Sequence, residues 1–229
     1  TLNKNGRLAV EQARRVVEQA QNLVDQVRAF DRSQRTISIG CCAPAPLVEL
    51  VSLVSQLYPE MAISSEMKDN QLLLDGLRNN LYQMIVLPYP VEDPDLLCFV
   101  FGEERLFFSL PPAHPLSGAK ELSFQDIDGE SVLLFSQIGF WREVCRQKMP
   151  LTRTLVQTEQ EDFDELVQAS ALPCFSSDWA IRQYGKPQNR IVIPISDPEG
   201  TAVYHFLCRR EDRRKFSPLI GRLQRRQKS

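Results

Sequence analysis

Apolar positions follow two different periods in the first third of the chain, and the change between them marks a boundary. Ala9, Ala13, Val16, Ala20, Leu23, Val27 and Phe30 are separated by alternating steps of four and three residues. That is the seam of a helix packed along another helix. No Gly or Pro interrupts residues 7–33, and Glu, Gln and Arg fill the positions outside the seam. The spacing predicts one linker or dimerisation helix within residues 1–33, paired with a second copy of itself. An amphipathic helix lying on its own domain is the alternative.

From Thr36 the period falls to two. Thr36-Ile-Ser-Ile-Gly40 alternates and ends in Gly, a strand followed by a turn. Pro44 and Pro46 suit the first turn of a helix, and Leu47, Leu50, Val51, Val54 and Leu57 then recur at helical spacing. A strand over Met61–Glu66, a short helix capped by Asp69 and an apolar strand over Tyr82–Leu87 follow. Strands alternating with helices predict an α/β domain with a parallel sheet. Two more strands are expected around Leu96–Phe101 and Arg105–Leu110.

Pro111-Pro112-Ala-His-Pro115 then breaks the pattern and reads as a crossing into a second lobe. That lobe is expected to hold strands near Ser131–Phe135, Thr154–Thr158, Cys174–Phe175 and Arg190–Ile195. Helices are expected over Leu122–Ile127, Ile138–Lys148, Asp162–Ala169 and Asp178–Tyr184. Ala202–Arg209 reads as a strand returning to the first lobe, and Arg213–Arg226 as a helix packed there. The resulting division is 36–112 plus 203–229 for one lobe and 116–200 for the other. Two α/β lobes joined by two crossings form a clamshell, whose ligand site lies between them at strand and helix ends.

Composition fits a globular domain: 229 residues, 43% hydrophobic and 24% charged, with a net charge of −2. The net value hides a segregation, with +3 on residues 1–35, +7 on 209–229 and −12 between them. An acidic body is a poor nucleic-acid surface, and a basic tail is most often a solvated helix face. The longest uncharged run, 106–119, contains three prolines, whereas a membrane-spanning helix needs about 20 mostly apolar residues. No secretory signal is expected in the polar N-terminal stretch.

Signals of enzyme chemistry are weak. The sequence has no G-x-S-x-G, P-loop or G-x-G-x-x-G motif, and only 10 glycines. The six cysteines form no C-x-x-C pair, and His114 and His205 are the only histidines; neither a zinc site nor any other metal or cofactor is expected. The cysteines read as buried free thiols. The acidic run Glu159–Glu165 lacks the spacing of a calcium loop and reads as the first turn of a helix. No catalytic residue is assigned.

Binding signals are stronger. The turn Cys42, Ala43, Pro44 leaves a strand and opens a helix, where free backbone N–H groups can hold an anion. Ser136, Gln137 and Ile138 form the corresponding turn in the second lobe, with Ser136 as a helix cap. Leu87 at the end of the third strand, Tyr89 just after it, and Phe175 and Ser176 in the second lobe complete the expected ligand-binding set.

The order of several short motifs resembles the LysR-type transcription regulators. The segment Thr1–Ala9 is similar to the end of that family's winged helix-turn-helix, and Arg35–Gly40 to the first strand of its regulatory domain. Leu57-Tyr58-Pro59-Glu60-Met61, Ala113-His114-Pro115-Leu116 and Leu166-Val167-Gln168-Ala169 resemble three later family segments. There are departures. Ser170-Ala171-Leu172-Pro173 stands where the family carries glycines, Gln83 where an Asp is common, and Cys42-Ala43-Pro44-Ala45-Pro46 where a Ser or Thr often opens the first helix. The resemblance implies a two-lobed periplasmic-binding-protein-like (type 2) clamshell behind a dimerisation helix. It further implies a cytoplasmic bacterial regulator whose cleft senses a small anionic or polar metabolite, and which forms a homodimer or tetramer. Promoter DNA would then be read by an N-terminal helix-turn-helix expected before Thr1. A stand-alone solute-binding protein of a transport system, on the same clamshell, is the alternative.

Overall fold

The structure, a computed structural model, describes residues 35–226 and, before them, only Asn5, Gln12, Ala13 and Val16. Of the heptad positions, Ala13 and Val16 are helical and exposed. Ala9, Ala20, Leu23, Val27 and Phe30 lie outside the described residues.

The first unit opens with β1 (Thr36–Cys41), α1 (Pro44–Leu57), β2 (Ala62–Met67), α2 (Asn70–Arg78) and β3 (Met84–Leu87). β1 runs parallel to both β2 and β3, as helical crossovers require. β4 (Leu96–Leu110) follows. The second unit adds α3 (Phe124–Ile127), β5 (Ser131–Phe135), α4 (Trp141–Lys148), β6 (Arg153–Gln157), α5 (Gln160–Ala169), β7 (Cys174–Ser177), α6 (Asp178–Tyr184) and β8 (Ile191–Pro194). The chain then returns through β9 (Thr201–Arg209) and ends in α7 (Ser217–Arg226).

Strand order is β2-β1-β3-β9-β4-β7-β5-β6, with β8 also on β4. β4 holds the two halves together. Leu96–Arg105 pair antiparallel with β9, whereas Leu106–Ser109 pair with β7 and Phe107–Leu110 with β8. The two strands expected around Leu96–Phe101 and Arg105–Leu110 are therefore one, and its pairing passes from β9 to β7 and β8 between Arg105 and Leu106. The reason lies in local chemistry. Residues 96–110 contain no proline, and a register shift between Val100 and Gly102 bends the strand without ending it. Pro111–Ser117 instead forms tight turns, with the His114 amide donating to Pro111 O at 3.0 Å.

Ser123 caps α3 and exchanges hydrogen bonds with Asp126 in a capping box. Burial defines two clusters. Ile37, Ile39, Leu50, Val54, Leu73, Phe206 and Leu219 belong to the first, where β1 and β9 meet α1, α2 and α7. Phe108, Phe124, Ile127, Val132, Met149 and Ile193 belong to the second. Trp141 opens α4 of the second unit yet is buried in the first cluster.

Arg190 ties the second sheet together. Its guanidinium donates to Ser109 O and Leu172 O, each at 2.6 Å, to Val167 O at 3.1 Å and to Ser170 O at 3.4 Å. A planar fork with five donors suits this convergence of carbonyls.

Candidate functional site

The two turns singled out by their sequence meet. After β1, Cys42 donates its amide to Val86 O at 3.1 Å, and the side chains of Cys42 and Ala43 are fully buried. After β5, Ser136 donates its amide to Gln157 O at 2.8 Å, and Arg142 donates to Ser136 O. Gly139 then adopts φ +61°, a left-handed conformation that suits Gly. The chain passes into Phe140, whose amide donates to Cys42 O at 2.8 Å.

Two expectations for these turns change. Ser136 does not cap a helix: α4 begins at Trp141, with Phe140 at its cap position. The left-handed Gly139 delays the helix, and Ser136 Oγ is buried without a partner. The first turn also offers fewer donors than its position suggested. Pro44 and Pro46 both lack an N–H, so Ala45 alone carries one among the first three residues of α1.

The other expected site residues divide. Leu87 is buried at the end of β3 opposite His205. Tyr89 is 39% exposed, and burial followed by nearby Cys42 raises its phenol above the ordinary value. Gln137 is exposed, and Ile138 packs against the first core. Phe175 joins the second core, with its ring centroid 5.1 Å from Phe108 and 6.5 Å from Phe124. Ser176 is half-buried in β7 opposite Phe107.

What fills the junction was missed in the sequence. Glu104 is 3% exposed at the end of the β4–β9 pairing. It accepts from Tyr204 Oη at 2.5 Å and Trp141 Nε1 at 3.2 Å, and Ser177 lies beside it. Burial pushes its carboxyl up from the ordinary range, while those donors pull it back. Aromatic rings surround the group. Phe140 lies 4.5 Å from Trp141 and edge-on to Tyr204 at 6.0 Å. Trp179 lies 5.7 Å from Tyr204 and 6.0 Å from Phe101, and its Nε1 donates to Glu103 O at 2.6 Å. The available signal was Gly102. A lone Gly inside a strand marks a close approach, and a Cβ there would lie 2.6 Å from the Trp179 ring.

The remaining reactive groups have structural surroundings. All six cysteines are free; five are buried and Cys98 is half-buried. Burial raises the Cys42 and Cys174 thiols and pushes Cys145 and Cys208 up to about 12. Such thiols carry little thiolate near neutral pH. His114 accepts the Leu116 amide on Nδ1 at 3.2 Å, so its Nε2 is the donor to Glu130 at 2.9 Å. Among the described residues, no group of three or more His, Cys, Asp and Glu side chains converges to hold a metal ion. No helix among them is long and apolar enough to cross a membrane. An open depression of about 290 Å³, lined by Gln157, Asp162, Glu165, Leu166 and Ala169, lies beside α5 and the end of β6.

Two α/β sheet units sharing β4, with facing turns at their junction, define the two-lobed periplasmic-binding-protein-like clamshell. Residues 31–227 match the LysR substrate binding domain, and the chain belongs to that family. Over 131 residues it is 24% identical to the HTH-type transcriptional regulator CbbR of Cereibacter sphaeroides, covering 56% of this chain and 42% of CbbR. Over 144 residues it is 25% identical to the transcriptional dual regulator GltC of Bacillus subtilis, covering 59% of this chain and 47% of GltC. The match thus spans less than half the length of these curated relatives. Among solved structures, a full-length OxyR variant from Pseudomonas aeruginosa aligns with a TM-score of 0.59 at 21% identity, covering 91% of this chain and 70% of that one. The BenM effector binding domain with its effector benzoate aligns with a TM-score of 0.55 at 18% identity, covering 77% and 84%. These structures share the fold.

Proposed function

We propose that the chain is the effector-sensing and oligomerising portion of a LysR-type, DNA-binding transcription regulator. The observation that carries this reading is the family match over residues 31–227. It favours a regulator over the solute-binding protein of a transport system, and both curated relatives carry regulator names. In this reading a small polar or anionic metabolite binds between residues 42–44 and 87–89 of one lobe and 136–138 and 175–176 of the other. It is bound and released unchanged. One lobe comprises about 36–105 with 201–226, and the other 106–200. The protein works in the bacterial cytoplasm as a homodimer or tetramer, and promoter DNA is held by a helix-turn-helix of the regulator.

A two-lobed sensor transmits a signal only if its ligand prefers one arrangement of the lobes. The direct test is a thermal-shift screen of the purified chain against carboxylates, amino acids and aromatic acids. A ligand of the folded state raises Tm with concentration, by mass action. The expected result is a saturable rise for one chemical class, with the compound recovered intact. No shift from any class at millimolar concentration would overturn the sensing role, and turnover of the compound would overturn the binding-only role.

A further inference from the structure

We propose that Ile138–Trp141 is a built-in plug: the chain fills its own interlobe junction with Phe140 and Trp141, and so latches the two sheet units together. Three kinds of contact converge on these four residues. The Phe140 amide donates to Cys42 O at 2.8 Å, joining backbone to backbone across the junction. Gly139 lies so close to the opposite turn that an added Cβ would stand 2.0 Å from Cys42 O and 2.9 Å from Ala43 Cα. Trp141 reaches from the start of α4 to Glu104 at 3.2 Å, while Ile138 and Phe140 pack on the first unit's core.

The surroundings are built to receive the plug. Tyr204, from β9, meets the Phe140 ring edge-on and donates to the same Glu104 carboxylate at 2.5 Å. Neighbouring groups that face Glu104 are Ser177, Tyr204, Trp141 and Asp178. With Trp141 withdrawn, this buried carboxylate would lose one of its two hydrogen-bond donors, so the latched arrangement is favoured. No covalent bond takes part, and the latch is reversible. The latch is a property of the fold and stands apart from the regulator reading.

The protein carries its own reporter, because its two tryptophans, Trp141 and Trp179, both belong to this cluster. The test uses the full chain with Gly139→Ala, whose new methyl drives the turn off Cys42. Gly185→Ala is the control: Gly185 also has a left-handed φ, +85°, but nothing lies within 4 Å of a Cβ there. Gly139→Ala is expected to red-shift tryptophan emission and raise the acrylamide quenching constant at least twofold, whereas Gly185→Ala leaves both unchanged. A folded Gly139→Ala protein with wild-type emission and quenching overturns the proposal. Amide exchange of the wild-type chain gives a second measurement that needs no variant. Phe140 is expected to be protected to the degree of Leu133, whose amide is bonded to Pro173 O. Free exchange at Phe140 beside a protected Leu133 overturns the latch.

Discussion

Tyr204 donates its hydroxyl to Glu104 at 2.5 Å, from a diagonal position on the neighbouring strand. The register makes this contact: Tyr204 pairs with Gly102 and Ala202 pairs with Glu104, so the two side chains project two residues apart on one face. Gly102 contributes no side chain, and the Trp179 ring takes the space it leaves. A buried acid thus sits where β4 passes from one sheet to the other.

Tyr204→Phe keeps the ring and removes the donor. A buried, charge-assisted hydrogen bond lost this way costs about 1–3 kcal/mol. Urea unfolding should show a lower midpoint with an unchanged slope. Tyr89→Phe, at a residue 39% exposed, should change stability by less than about 0.5 kcal/mol. Equal effects from the two substitutions would contradict the special place given to Tyr204.

Glu104 also sets a pH dependence. Burial raises its folded-state pKa above the ordinary glutamate value, so in the interval between the two the folded chain holds a proton that the unfolded chain has released. This contribution is fully present below the ordinary value and is lost as pH rises through the folded-state value. Asp126, held low by Ser123, and Glu143, held at about 2 by Arg146, act in the opposite sense. They are untouched by Glu104→Gln, so subtracting the two stability curves isolates Glu104. The wild type should lose stability relative to Glu104→Gln as pH rises through that interval. A constant difference between the curves would show that the carboxyl is not raised.

Much of this arrangement was legible along the chain. Thr36–Gly40 and Ser131–Phe135 were readable as strands because β-sheet alternation and apolar runs are local signals, and α1 because its leucines and valines recur at helical spacing. The continuity of β4 was not readable. Proline clusters such as Pro111–Pro115 end elements by a local signal, whereas a bulge at Val100–Gly102 depends on how β9 pairs with β4. The two turns are legible as strand-to-helix transitions, but Pro44 and Pro46 remove donors from the first, and the left-handed Gly139 of the second is set by its close approach to Cys42. The cluster around Glu104 joins residues 100 positions apart, as in Tyr204 and Glu104. Only the strand order brings them together, and one unexplained Gly was the sole local trace.

Arg190 offers a test of the second sheet by itself. Its side chain satisfies carbonyls of Ser109, Val167, Ser170 and Leu172, and lies against Cys174 Sγ at 3.4 Å. Arg190→Met keeps the aliphatic stem but leaves these acceptors without their donor, at a cost of about 1–3 kcal/mol for each one that water cannot reach. Arg190→Lys restores charge but not the fork, and should recover only part of the loss. Hydrogen exchange should speed up first in β7 and β8, which both pair with β4 near Ser109. Uniform acceleration across both sheets would mean that the second does not open independently.

The heptad seam makes the remaining prediction, and it concerns pairing of copies. Val16 is 62% exposed on the single chain, so an acid placed there meets solvent unless a second chain covers it. On the seam, Leu23 lies one heptad further on. Val16→Glu with Leu23→Glu would set like charges against each other along paired helices, and a buried unpaired charge costs several kcal/mol. Sedimentation equilibrium of the full chain should then show the mass falling by half, with the thermal unfolding of the body unchanged. If the wild type already sediments as a monomer, or if the variant keeps the wild-type mass, the seam does not join two copies. The alternative is then a helix that folds back on its own domain, and the same substitutions would lower the Tm of that body instead.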